Sequence, residues 1–136
     1  MRVTGTFDVV TFTPTQLVPE PAIATALPVG VATLEKRFDG AITGRSATIF
    51  TSAFDQSTGV GTYVAMESFE GALDGREGAF NFVHVASTSG TDRTGEYFVI
   101  VPGSGTGALA GITGTGGISV DDDGTHHIRF DYELPS

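Results

Sequence analysis

Two residues of this chain have side chains suited to moving a proton: Glu67, in TYVAMESF, and His84, in FNFVHV. The Asp74-Gly75 pair between them predicts a β-hairpin. The loop has either two residues or four, from Asp74 to Glu77, and both versions place Glu67 and His84 on one face. In the four-residue version the two residues are directly opposite, and in the two-residue version they are diagonal neighbours.

The same face of the predicted hairpin is aromatic. Tyr63 shares it with Glu67 and His84, and so do three phenylalanines, Phe69, Phe80 and Phe82. Apolar surroundings favour uncharged acids and bases, which suits general acid–base catalysis. One hypothesis is therefore that Glu67, His84 and Tyr63 are catalytic, with Tyr63 orienting an oxygen. The alternatives are that the Glu–His pair contacts a ligand without catalysis, or that the two side chains only hydrogen-bond each other inside the sheet.

A second hairpin adds candidates for ligand contact. The loop Asp122-Asp-Gly124 places His126 and Phe130 on an apolar face, so they are expected to contact a ligand with the three phenylalanines. Adjacent histidines on a strand point to opposite faces, and the aspartates lack calcium-loop spacing, so no metal is predicted. A metal site formed by Glu67, His84 and His126 remains an alternative if the last strand closes near the first hairpin.

The glycine-rich segment Ser104–Val120 partly matches phosphate-binding patterns. No helix follows it and the P-loop lysine is absent, so neither a nucleotide nor another cofactor is expected. The same glycines predict a sharply bent sheet with close strand contacts.

Eight strands are needed to position these residues. Alternating patterns predict a single domain over residues 1–136, all-β, with strands near 2–13, 31–38, 41–54, 61–73, 78–87, 95–101, 108–120 (broken) and 126–134. They suit an antiparallel eight-stranded barrel. The proline-rich segment Pro14–Pro28 predicts a connection over the barrel surface or mouth, with a helical turn from Ala22 to Ala26.

Charge and composition narrow the partners. Seven basic against sixteen acidic residues give a net charge of −9, which disfavours nucleic acid. There is no cysteine, no signal-peptide pattern and no membrane-spanning stretch, so a soluble cytoplasmic protein is expected. Val64 and Met66 would form an apolar outer patch with Val83 and Val85. We expect another subunit of a homo-oligomer to cover this patch; the alternative cover is the proline-rich segment.

The sequence also resembles a bacterial family of unknown function that is itself similar to the allene oxide cyclase barrel. The resemblance rests on five pieces: Tyr63–Gly71, Leu73–Phe80, His84, Val101–Gly111 and Asp131–Leu134. It implies an eight-stranded antiparallel barrel with a cavity for an apolar small molecule, held by few polar groups. It assigns no catalytic residue.

Three functions follow as hypotheses. The first is a barrel that carries or sequesters an apolar small molecule in an aromatic-lined cavity. The second is a cofactor-free isomerase or cyclase that uses the Glu67–His84 pair. The third is an oligomeric interaction module that works through the outer patch.

Overall fold

A computed structural model describes residues 1–136 as an all-β protein. Eight antiparallel strands, each paired with the next, form a closed ring in which the last pairs with the first. The strands are β1 (Arg2–Pro14), β2 (Val29–Gly40), β3 (Ile42–Asp55), β4 (Val60–Leu73), β5 (Arg76–Ser89), β6 (Asp92–Ile100), β7 (Thr113–Val120) and β8 (His126–Glu133). The eight antiparallel strands expected from the sequence are confirmed.

The hairpin between β4 and β5 has the two-residue loop. Leu73 pairs with Arg76, and Asp74 and Gly75 have φ angles of 49° and 81°. Positive φ at both central residues is typical of a type I′ turn, which the Asp-Gly sequence favours. This register places His84 beside Ala65, so Glu67 and His84 share the inner face as diagonal neighbours.

The interior of the ring is divided along its axis. On β4 the inward side chains run from Leu73 and Phe69, both fully buried, through Glu67 to the half-buried Tyr63. The Leu73 end, which we call the closed end, is filled by a continuous apolar core that includes Leu109 and Ile112 from the glycine-rich segment. The opposite end, near Tyr63, is the open end.

Two connections differ from the expectations. The segment between β1 and β2 contains no helical turn at Ala22–Ala26, and Leu17 and Ile23 within it are exposed. Pro28 contributes to the cavity at the open end, as expected for a segment near the mouth. In the glycine-rich segment, Gly107–Leu109 forms a short 3-10 helix and β7 starts only at Thr113. Turn hydrogen bonds, from the N–H of Leu109 to the Thr106 carbonyl and from the N–H of Ile112 to the Leu109 carbonyl, take the place of strand pairing there.

The ring is weakest between β6 and β7. These strands share one in-register pair, Val99 with Thr115, whereas β2 and β3 remain paired from Val29 to Phe38. The gap lies toward the open end, next to the residues described below.

No helix in the structure has the length and apolar character that a membrane crossing requires.

Candidate functional site

The side chain of Glu67 is fully buried and is contacted by residues of β2 and β3. Lys36 on β2 lies 3.0 and 3.1 Å from the two carboxylate oxygens. Ser46 and Thr48 on β3 donate hydrogen bonds to Oε1 at 3.1 and 2.8 Å. A buried carboxylate needs such partners, because removal from water is otherwise costly. With its oxygens occupied, Glu67 is poorly placed to take a proton from a ligand.

Lys36 completes this buried ion pair. Its Nζ lies 4.7 Å from the centre of the Phe7 ring, so the ammonium group contacts both a carboxylate and an aromatic face. Lys36, Ser46 and Thr48 were not identified from the sequence. Two-residue alternation does place them on one face of their strands, but only the three-strand register brings them to Glu67.

His84 has a different partner from Glu67. Its Nε2 lies 2.8 Å from Oε2 of Glu96 on β6, and only 3% of its side chain is exposed. Burial lowers the pKa of His84, an effect that the hydrogen bond and charge of Glu96 partly oppose; the charges of Arg93 and Lys36 lower it further. The imidazole is therefore held toward its neutral form. Glu96 was also not identified from the sequence.

Tyr63 connects His84 to the open end. Its ring meets His84 edge-on, with centroids 5.5 Å apart, and stacks on Phe50 at 5.1 Å. Burial raises the pKa of Tyr63, so the hydroxyl keeps its proton near neutral pH. Tyr63 can therefore donate or accept a hydrogen bond at the cavity it lines.

That cavity has a volume of about 520 Å³. Pockets that hold small molecules are about 300–1,000 Å³. No charged side chain lines it, and its walls are four aromatic rings with small polar groups between them. The lining residues are Phe12, Pro28, Gly30, Phe50, Ser52, Phe54, Gln56, Thr62, Tyr63 and Thr88.

The phenylalanines predicted to contact a ligand lie elsewhere. Phe69, Phe80, Phe82 and Phe130 are at most 1% exposed and belong to the closed-end core. Phe80 and Phe82 each lie 5.3 Å from Phe130 between ring centroids. The geometry gives these four residues a packing role, and none of them lines the open-end cavity. Inward-facing aromatics look alike in sequence, and only closure of the ring decides which of them pack together.

His126 is partly buried against Phe7, with ring centroids 4.9 Å apart. Burial lowers its pKa, and the charges of Lys36 and Arg93 act in the same direction. It is not among the residues that line the open-end cavity. The alternative metal site of Glu67, His84 and His126 is not formed, since no three acidic or histidine side chains lie close enough to share an ion.

The fold and this site define a class of protein: an eight-stranded antiparallel ring with a packed core at one end and an aromatic cavity at the other. The chain belongs to the DUF3224 family, proteins of unknown function, whose family model matches residues 3–132. The expected membership in a family of unknown function is thus confirmed.

A crystal structure of a DUF3224 protein of unknown function from Shewanella oneidensis MR-1 is similar to the whole chain. The two sequences are 34% identical, the TM-score is 0.83, and the match covers 100% of this chain and 98% of the other. No curated protein sequence matches this chain.

Proposed function

We propose that this protein binds an uncharged, largely apolar small molecule in the open-end cavity, as a carrier or sequestering protein. The observation that carries the proposal is the wall of Phe12, Phe50, Phe54 and Tyr63 around about 520 Å³ of space. We also propose that the ring is an allene oxide cyclase-like barrel, which is consistent with a cavity for an apolar ligand.

The exposure of the cavity wall supports this proposal. Phe12 is 56% exposed and Phe54 is 43% exposed, although both rings border a concave space. Burying apolar area stabilises a complex by about 25 cal/mol per Å², and aromatic rings offer large areas with few rotatable bonds. A ligand that covers these rings would therefore gain affinity. A charged ligand would find no counter-ion among the lining residues.

The isomerase or cyclase hypothesis is the second candidate, with a changed set of residues. Both carboxylate oxygens of Glu67 are bound by Lys36, Ser46 or Thr48, so Glu67 is poorly placed to act as the base. His84 keeps a neutral imidazole beside Tyr63, and Tyr63 reaches the cavity. These two residues are the ones we propose for proton transfer if the bound compound is a substrate.

Native mass spectrometry of the freshly purified protein tests the binding proposal, followed by denaturation and extraction of anything bound. We expect one apolar compound per chain. If the protein is empty, a fluorescence titration with 2-methoxynaphthalene provides the test. Phe54→Ala should weaken binding about tenfold.

Val29→Ala is the control, because Val29 is similarly exposed, 39% against 43% for Phe54, but lies on the outer face of β2 and does not line the cavity. It should bind like the wild type. An empty protein that also fails to bind 2-methoxynaphthalene would overturn the proposal, and so would equal losses in both variants.

We further propose that a second copy of this chain covers the outer face of β3 to β6. Two rows of apolar side chains run across neighbouring strands there, one of Ile49, Met66, Val83 and Val99 and the other of Val64, Val85 and Tyr97. The proline-rich segment does not shield them, since Ile49, Val64, Met66 and Tyr97 are all more than 40% exposed.

A further inference from the structure

Side chains replace the sheet ladder in the gap between β6 and β7. Ile118 on β7 donates its backbone N–H to Oε2 of Glu96 at 3.2 Å. Its carbonyl oxygen accepts a hydrogen bond from Arg93 at 2.9 Å. Both backbone groups of Ile118 are thus satisfied by side chains of β6, which fixes the position of the Glu96 carboxylate in the wall of the ring.

The same carboxylate oxygen determines the state of His84. Oε2 of Glu96 meets both the Ile118 N–H and Nε2 of His84, and a carboxylate can only accept hydrogen bonds. The proton of a neutral imidazole must therefore be on Nε2. Nδ1 then carries a lone pair and can only accept.

Nδ1 of His84 is the free end of this arrangement. It makes no hydrogen bond in the structure. His84 is 3% exposed and is not itself among the residues that line the open-end cavity, but it lies level with the lining residue Phe50, because both residues pair with Ala65. The neighbouring Tyr63 ring, edge-on to the imidazole, also lines the open-end cavity. An acceptor nitrogen and a tyrosine hydroxyl thus lie close together beside the aromatic cavity.

We propose that Glu96 is a positioning residue that holds His84 with Nδ1 as an acceptor, so that the site prefers aromatic ligands bearing a hydroxyl group, such as phenols. This inference rests on the proposed function, because it names the ligand class of the same cavity. The ligand hydroxyl donates its hydrogen to Nδ1, and its aromatic body lies against Phe50 and Phe54. An ether of the same shape has no hydrogen to donate.

The test compares 2-naphthol with 2-methoxynaphthalene by fluorescence titration. We expect the wild type to bind 2-naphthol roughly tenfold more tightly, the effect of one hydrogen bond to a group otherwise left unpaired. Glu96→Ala should reduce the preference, because part of the protein then carries the His84 proton on Nδ1. Glu96→Gln should keep the preference for 2-naphthol. Oε2 of Glu96 accepts two hydrogen bonds, and in glutamine only the amide oxygen can do the same.

Asp121→Asn is the matched control. Asp121 makes a comparable bond to His127, 2.6 Å from Nε2, on the exposed outer surface. This variant should keep the wild-type preference.

Nitrogen-15 NMR of the histidine rings gives a readout independent of binding. The wild type and Glu96→Gln should show His84 protonated on Nε2, whereas Glu96→Ala should show both tautomers. If Glu96→Ala does not fold, the His84 tautomer of the wild type and its preference between the two naphthalenes still test the inference.

The outcomes separate the two proposals. If neither naphthalene binds, the proposed function fails. If both bind equally well to the wild type, or if His84 carries its proton on Nδ1, the cavity stands and the inference about Glu96 and hydroxylated ligands is wrong.

Discussion

At the level of single residues, Lys36 and Glu67 form a buried ion pair. The Lys36 side chain is 8% exposed and the Glu67 side chain 0%. Breaking such a pair from one side leaves an uncompensated buried charge, whereas an apolar replacement of both partners is often tolerated. The pair therefore bears on stability rather than on ligand chemistry.

We predict that Lys36→Met lowers the free energy of unfolding by about 3 kcal/mol. The double variant Lys36→Met, Glu67→Leu should recover most of this loss, although Ser46 and Thr48 then lose an acceptor. Urea denaturation at pH 7 measures both values. A single variant as stable as the wild type would contradict the buried-charge account.

His84 predicts a pH dependence of stability. In the unfolded chain the imidazole takes up a proton near pH 6.5. In the folded protein burial lowers the pKa of His84; the hydrogen bond and charge of Glu96 raise it in part, and the charges of Arg93 and Lys36 lower it further. Below about pH 6.5 the unfolded chain binds more protons, so the free energy of unfolding falls as pH falls toward the lowered pKa. His126, whose pKa is also lowered, adds to the fall.

Urea denaturation between pH 7.5 and 5 measures this slope. His84→Gln should reduce it, whatever its effect on stability at pH 7.5. An unchanged slope in His84→Gln would show that the burial of His84 does not affect proton uptake.

The residues of the site were partly predictable from sequence. Strand alternation and the Asp-Gly turn placed Glu67, His84 and Tyr63 on one face, as the register shows. Their partners come from β2, β3 and β6. Lys36 reaches Glu67 across the intervening β3, and a bulge between Val85 and Ser87 shifts the register of β5 against β6, so strand alternation alone does not identify these contacts. Lys36 and Glu96 also have residue types that are usually exposed, so neither was expected as the partner of a buried side chain.

At the level of elements, β3 and β4 pack closely where Gly44 pairs with Gly71. A Cβ atom on Gly71 would collide with the Thr43 carbonyl oxygen and with the backbone of Gly44. The contact is with backbone, so no side-chain movement can relieve it. Glycine at this pair allows the sheet to bend at the closed end.

We predict that Gly71→Ala lowers the free energy of unfolding by about 3 kcal/mol, because β3 and β4 must separate. Gly30→Ala on β2 is the control, since a Cβ atom there meets nothing within 4 Å. That variant should stay within about 0.5 kcal/mol of the wild type. Thermal or urea unfolding of the two proteins gives the comparison, and equal effects would contradict the close-packing explanation.

The elements were the most predictable part of the fold. Alternating apolar residues and turn signals located all eight strands, because each pattern is local. The expected helical turn at Ala22–Ala26 and the early start of the seventh strand were wrong. In the second case the chain forms turns, with the N–H of Leu109 bonded to the Thr106 carbonyl and the N–H of Ile112 to the Leu109 carbonyl. Gly107 also packs against Gly78 of β5, a long-range contact that local propensity does not encode.

At the level of the whole molecule, the ring has a filled end and an open end, and one apolar side of its outer surface. The sequence predicted an aromatic interior but not this division, because inward-facing phenylalanines look alike until the ring closes. Phe80 and Phe130 became core, while Phe12, Phe50 and Phe54 became cavity wall.

The outer face predicts assembly. Val64→Asp places a charge among exposed apolar residues of β4 and β5, so it should convert an oligomer of the wild type to monomers. Size-exclusion chromatography with light scattering measures the mass. Thr4→Asp, on the exposed outer side of β1, should leave assembly intact. A monomeric wild type, or an unaffected Val64→Asp protein, would show that no second copy covers this face.

The open-end cavity is the binding site that we propose. The most direct test is an NMR titration with 2-naphthol that follows assigned aromatic side-chain signals. We predict changes at Phe12, Phe50, Phe54 and Tyr63, with the core rings of Phe80 and Phe130 unaffected. Changes confined to the outer face, or none at millimolar probe, would contradict the claim.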